Sequence, residues 1–222
     1  MKPSIKKLDA TLREVFAPLL ADDAPQPSKL ILAFDELTLE IPADTLLATM
    51  QRLRDWPALA FDALADVTAI DYLDYHNKEE QGIEQRFAVV YHLLSTTHNW
   101  RVRVRVFLPD DVLEIPSVEP IWPAANWMER ETYDMFGIHF TGHPDPRRIL
   151  TDYGFEGYPF RKDFPLEGHL EIRYDEELRR IVYEPVTIPP RENIPSRHRE
   201  PYYADETATP VPQQVPTPPK KD

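Results

Sequence analysis

The stretch "WRVRVRVFL", Trp100 to Leu108, alternates without interruption: Arg101, Arg103 and Arg105 fall on one side, and Val102, Val104 and Val106 on the other. Successive side chains of a strand point to opposite faces, so the pattern has one regular solution, a strand with one face in a core and one in solvent. The nearest partner is "RFAVVYHLLST", a β-prone run just before it, separated by "TTHN", which is short enough for a hairpin turn. The arginine side has two readings: a solvated sheet face, or a surface for anions or an acidic partner.

Other segments fill in around this pair. Ile5, Leu8, Leu12, Val15 and Leu19 recur at helical spacing and predict an amphipathic helix from about Ser4 to Leu20, broken by "ADDAPQPS". "KLILAF" and "LTLEI" are strand-like, with Asp35-Glu36 as the turn between them. Pro42 and Asp44 mark a helix start, and "TLLATMQRLRD" carries that helix to Trp56-Pro57. "DVTAIDYLDY" reads as a strand and "NKEEQGIEQ" as a polar loop. Ser117 is the expected cap of a helix through "EPIWPAANWMERETYDMF", with a restart at Pro123 and Gly137 as its left-handed stop. Past Gly137 the irregular Gly, Pro and aromatic residues imply ordered loop, and "HLEIRYDEELRRIVYEPV" a final hairpin around Asp175-Glu176.

From Pro185 to Asp222 there are ten prolines in 38 residues, which cannot bury a core and imply an extended or polyproline-like tail. The fold class that follows is α+β: a small mixed β-sheet packed with helices, then a long ordered-loop region, then an extended proline-rich C-terminal tail. The domain is expected over residues 1–183 and the tail over 184–222, its last part ordered only by a partner.

Composition removes several functions. The chain of 222 residues contains no cysteine, so disulfides, thiolate nucleophiles and cysteine-held iron–sulfur clusters are excluded. A net charge of −13 makes a poor partner for nucleic acid or an anionic lipid surface. No run approaches the roughly 18 apolar residues that span a bilayer. The six glycines form neither GxGxxG nor a P-loop, and there is no G-x-S-x-G elbow.

The densest chemistry lies in "ERETYDMFGIHFTGHPDPRRIL", Glu129 to Leu150. His139 and His143, with Asp145, suggest a zinc hydrolase, but Gly142 and Pro144 oppose a helix across the pair and "FTG" offers no base between them. Glu131 and Asp134, at i and i+3, are expected to share a helix face, where they could divide acid and base roles. The commoner use of such acids beside Arg130, Arg147, Arg148 and Arg161 is a clasp for irregular backbone. "GFEGYPFRKDFPLEG" adds rigid turns with aromatic and arginine anchors, the composition of an interface core. The structural or interface set is therefore Glu129, Arg130, Glu131, Asp134, His143, Arg147, Arg148, Tyr158, Arg161, Lys162 and Asp163. "PTPP" in the tail fits a minimal PxxP pattern, which would serve a free-standing adaptor.

Residues Trp122 to Gly168 contain ERE-x-x-D-M-F-G, F-x-G-H-P, RRIL and G-Y-P-x-R-K-D-x-P. This run resembles the signature region of the 30 kDa-type (C) subunit family of proton-pumping NADH:quinone oxidoreductase, respiratory complex I. "FDALADVTAIDY" and "FAVVYHLLS" extend the likeness to roughly Leu30 to Val186; Pro146 departs from the leucine expected in "HPDLRR". The resemblance implies a cofactor-free subunit of the peripheral arm, on the cytoplasmic side of a bacterial inner membrane or the matrix side of a mitochondrial one. It implies that FMN and iron–sulfur clusters sit on other subunits, which carry electrons from NADH to quinone. The implied partner is the hydrogenase-large-subunit-like neighbour that helps form the quinone site, with the tail running over further arm subunits. No catalytic, cofactor or metal residue carries over. The alternative within the family is the equivalent subunit of a membrane-bound hydrogenase or ferredoxin-dependent complex. The alternative of another class is a stand-alone metal hydrolase on His139 and His143.

Overall fold

The computed structural model describes residues 3–21, 28–75 and 82–189. Most of "ADDAPQPS", part of the polar loop after Tyr75 and the tail from residue 190 lie outside the described residues, and so do the expectations that fall on them. The compact unit is Met1–Thr187.

Its centre is a five-stranded mixed sheet in the order β1-β2-β5-β4-β3. The strands are β1 (Lys29–Ala33), β2 (Glu36–Glu40), β3 (Ala63–Asp71), β4 (Phe87–Ser95) and β5 (Trp100–Leu108). The alternating stretch is β5, paired antiparallel with β4 from Ser95↔Trp100 to Phe87↔Leu108 and parallel with β2. Its valines enter one core with Val89, Tyr91 and Leu93 of β4 and Leu37 and Leu39 of β2. Helices α1 (Pro3–Val15), α2 (Leu46–Asp55) and α3 (Ala125–Phe136) close that face. Leu8 and Leu12, Leu46, Met50 and Leu53, and Ala125, Met135 and Phe136 are their contributions. Each fully buried leucine stabilises by roughly 2 kcal/mol.

The arginine face is open at Arg101 and partly covered towards Phe107, where Tyr72, Ile83 and Ala88 form a small second cluster, and its charge is largely matched within the chain. Arg103 donates to Glu36 (2.6 Å) and Arg105 pairs with Glu40, the residue it faces across the β2–β5 ladder. Arg105 also donates to the Tyr72 hydroxyl (3.1 Å). Acids from the neighbouring strand thus meet two of the three cations, so the stripe is neither a fully solvated face nor a free anion-binding surface.

β3 runs from Ala63 to Asp71 rather than from Asp66 to Tyr75. Four further boundaries differ from expectation, each for a local reason. Helix α1 ends at Val15, because Pro18 removes a backbone donor and disfavours helical geometry at Ala17; tight turns carry the chain to Leu20. The β1–β2 turn lies one residue earlier, at Phe34 and Asp35, both left-handed (φ 52° and 59°), as a two-residue hairpin turn demands. Helix α3 starts at Ala125, just past the restart expected at Pro123, and no α-helix runs from Ser117 to Ala124. The Ser117 hydroxyl is used elsewhere, donating to Glu129 and accepting from the Glu119 amide, and Val118–Trp122 forms a separate turn. At the far end, β9 carries its ladder to Pro185, past residue 183.

Beyond α3, two short strands, β6 (Glu114–Pro116) and β7 (His139–Thr141), pair in parallel. The ordered loop 142–169 follows, and then the hairpin of β8 (Leu170–Asp175) and β9 (Arg180–Pro185).

Candidate functional site

The signature stretch folds as three joints around α3. The first is at Asp134, whose side chain is fully buried. One of its oxygens accepts the amides of Ile149 (3.0 Å), Leu150 (2.7 Å) and Thr151 (3.0 Å), and the other accepts the Thr151 hydroxyl (2.5 Å). Burial pushes this carboxyl up, but the Thr151 hydroxyl and the amides outweigh that and hold it below the usual carboxylate range. The nearest cation, Arg148, stands 3.5 Å away and spends its other donors on the carbonyls of Phe155 and Gly157, both at 2.9 Å.

The second joint caps the C-terminal end of α3. Gly137 (φ 75°) turns the chain left-handed and donates to the Tyr133 carbonyl (2.8 Å). The Phe160 amide takes the Met135 carbonyl (3.1 Å), and Arg161 Nε takes Phe136 (2.6 Å), so a guanidinium sits where the helix dipole is negative. The Tyr158 ring lies between Arg161 (4.4 Å) and Arg148 (5.1 Å). A Cβ on Gly137 would lie 2.6 Å from both Arg161 Nη2 and Tyr158 Cζ, so this approach requires glycine.

The third joint ties the loop to the sheet. Asp71, at the end of β3, receives two bonds from Arg86 (2.9 and 2.7 Å), one from the Leu73 amide (3.0 Å) and one from the Lys162 amide (2.9 Å). Arg86 also meets Asp163 at 3.0 Å. Burial raises the Asp71 carboxyl and these donors more than reverse it, leaving it depressed. Lys162 therefore acts through its backbone, not its ammonium group.

At the other end of α3, Glu129 is fully buried and receives the Ser117 hydroxyl (2.5 Å) and the Val118 amide (2.7 Å). Burial pushes its carboxyl up to about 7, against the downward pull of those two donors. Arg130 donates to the Arg147 carbonyl (3.2 Å) and stacks over Trp127 (4.8 Å). The Arg147 side chain is exposed and pairs only with Asp145 (2.7 and 2.8 Å) among the described residues.

Sequence reasoning marks most of these residues but not all of their partners. Asp134 holds backbone amides rather than a bidentate arginine. Glu131 does not share its face: it is exposed, with no bond to another described residue. Asp71 and Arg86 escape it; the only local sign is an acid ending the apolar run "DVTAI".

The histidine pair does not form a metal site. His143 Nδ1 accepts the Asp145 amide (3.0 Å) and Nε2 faces the Asn126 carbonyl (3.1 Å), so both ring nitrogens are used. His139 is exposed. Among the described residues no group of three His, Asp or Glu side chains is placed to hold a metal ion. A cavity of about 690 Å³ beside α1, lined by Leu8, His92 and Arg103 among others, shares no residue with the joints.

A family model described as "Respiratory-chain NADH dehydrogenase, 30 Kd subunit" matches residues 39–170, which contain β3, α3 and all three joints. The chain belongs to this family. Among its relatives, the C subunit of NADH-quinone oxidoreductase from Azoarcus sp. is 48% identical over 206 residues, covering 92% of this chain and 98% of the relative. Its counterpart from Ralstonia pickettii is 56% identical over 169 residues, 76% of this chain and 84% of the relative. A solved trypsin-resistant fragment (1-134) of Nqo5 matches with a TM-score of 0.52 and 32% identity, covering 63% of this chain and 98% of the fragment. A chain of the membrane-bound sulfane sulfur reductase, an archaeal respiratory membrane complex, matches with a TM-score of 0.56 and 25% identity, over 72% of this chain and 86% of that one. The 30 kDa family is thus shared by NADH-quinone oxidoreductases, and the structural likeness reaches another respiratory membrane complex. No described helix of this member is long and apolar enough to cross a membrane.

Proposed function

We propose that the chain is a structural subunit of the peripheral arm of complex I, on the cytoplasmic side of the membrane. It supports the neighbour that helps form the quinone site while FMN and iron–sulfur clusters on other subunits carry electrons from NADH to quinone. One observation carries the scaffold reading: the hairpin β8–β9 leaves an entire apolar face uncovered. Its cross-strand pairs Leu170↔Pro185, Ile172↔Tyr183 and Tyr174↔Ile181 lie on one side, and each of these residues apart from Pro185 is a large hydrophobic about 60% exposed. A two-stranded ribbon is marginal alone, and a contiguous exposed apolar patch marks an interaction surface. Tyr183 donates to Asp152 (2.7 Å), which links the ribbon to the loop held by Asp134, where Leu150 and Tyr153 are also exposed. The joints would then fix that surface for a neighbour, with Glu129, Arg130, Asp134, His143, Arg148, Tyr158, Arg161, Lys162 and Asp163 acting inside the domain.

Co-purification tests this reading. A tagged chain expressed in its own cell should migrate with a large membrane-associated assembly that shows flavin and iron–sulfur absorption and oxidises NADH with quinone. Migration as a free protein would refute it. The likeness to a chain of the sulfane sulfur reductase favours one second reading, the equivalent subunit of a related membrane complex; an assembly without flavin or NADH oxidation would select it.

A further inference from the structure

The Glu129 joint contains a group that the scaffold role does not need. A buried carboxyl could be replaced by an amide and still accept the Val118 amide and bond Ser117. It is instead an acid with no guanidinium or ammonium group hydrogen-bonded to it among the described residues. Arg130 points away, to the Arg147 carbonyl and towards Asp145 (3.8 Å). The one cationic candidate among the described residues is His143, whose side chain is almost fully buried and whose Nε2 lies 3.9 Å from Glu129 Oε2. Between them opens a cavity of about 10 Å³, bordered also by Tyr133 and Phe140, near the lower limit for one water molecule.

The geometry points to Glu129 and His143 as a proton-operated latch: with its proton, Glu129 lets His143 hold the loop at Asp145, and without it that hold is released. The reason is in the ring's hydrogen bonds. Nδ1 accepts from the Asp145 amide, so the ring proton sits on Nε2 and is directed at the Asn126 carbonyl. If Glu129 ionises, its carboxylate has two donors, the Ser117 hydroxyl and the Val118 amide, where Asp134 has four, and it draws a cation or water to make up the difference. The imidazole can supply a cation only by taking a proton on Nδ1, and that puts two N–H groups face to face and breaks the Asp145 bond. Admission of water would part the loop from α3 instead. Either course loosens residues 143–147. Neutral Glu129 avoids both, because the Ser117 hydroxyl can rotate from donor to acceptor.

The other groups around Glu129 reinforce the preference. Glu119, on the turn before α3, repels the ionised form. Tyr91, from β4, is buried, and burial together with the nearby Glu129 keeps its phenol protonated, so it brings no charge to the site. Arg130 and His139 border the cavity, one engaged elsewhere and the other exposed. Burial places the titration at about 7, within the range a cell can reach.

The test uses the full chain. Infrared spectra of protein labelled with carbon-13 glutamate should show a protonated carboxyl band that fades with a midpoint at about 7. The exchange protection factor of the Asp145 amide should fall over the same interval, by up to about tenfold per pH unit. Glu129→Gln should lack the band and keep the protection constant. A glutamate midpoint confined to the ordinary value, 4.5, overturns the proposal. So does a band that titrates while Asp145 protection stays flat. The infrared titration needs only the wild-type chain, so it decides even if Glu129→Gln does not fold.

Discussion

Asp134 and Arg147 look equivalent in the sequence, two charges of one clasp, but their surroundings differ. Asp134 has four donors converging on a buried carboxylate, and Asp134→Ala leaves three amides and a hydroxyl without an acceptor. The expected cost is about 3 kcal/mol, read as a lower denaturation midpoint with unchanged slope. The Arg147 side chain is 72% exposed and meets only the nearby Asp145 among the described residues, so Arg147→Ala should cost less than about 1 kcal/mol. Equal losses would contradict the assignment. The pH dependence of stability carries two opposite signs. Asp71 and Asp134 have folded pKa values below the ordinary 3.8, so their contribution is present above that pH and is lost as pH falls through the depressed values. Glu129 has a folded value of about 7 against an ordinary 4.5, so its contribution is complete below pH 4.5 and is lost as pH rises through about 7. Denaturant titrations should therefore show stability falling between those two pH values in the wild type, and a shallower fall in Glu129→Gln. Sequence spacing finds Glu129 and Asp134 but not Asp71, and it cannot show this difference, because their donors, backbone and side chain alike, come from residues distant in the sequence.

The elements are legible where a local rule dominates. Alternation identifies β5 over its whole length, and the chemistry of a left-handed stop marks Gly137 as the end of α3. The start of α3 is legible only in part: Pro123 marks the restart, but Ser117, a good cap by type, caps no helix because a buried acid twelve positions away claims its hydroxyl. Gly137 also answers to the loop behind it. Gly137→Ala meets left-handed strain and two atoms at 2.6 Å, so it should lower the melting temperature and expose the 158–163 loop. Trypsin cleavage after Arg161 or Lys162 under native conditions would report that exposure. The β8–β9 ribbon has no second layer among the described residues. Its arginines, Arg173, Arg179 and Arg180, should be the early trypsin sites of the isolated chain, well before any in the five-stranded sheet. If β4–β5 were cut first, the ribbon would not be the weakly held element.

At the scale of the molecule, the fold converts scattered sequence signals into one rigid corner. Lys162 reaches Asp71 across 91 positions, so the loop is fixed to the sheet by a contact no local pattern reveals. The family signature is dense in ionisable groups because irregular backbone needs many charged acceptors and donors to hold one shape. The result is a corner whose three joints are satisfied and whose adjoining ribbon is not. That asymmetry separates folding from assembly. Ile172→Glu with Ile181→Glu places charge on the outer face, where neither side chain is buried, so the isolated chain should keep its stability within about 0.5 kcal/mol. In the cell the same change desolvates two carboxylates against any apolar partner, and the variant should be lost from the large assembly and found in the unbound fraction. Asp134→Ala should lose both stability and assembly. A ribbon variant that assembles normally would move the interface off this face, whereas one that unfolds in isolation would show that the ribbon is packed by its own chain.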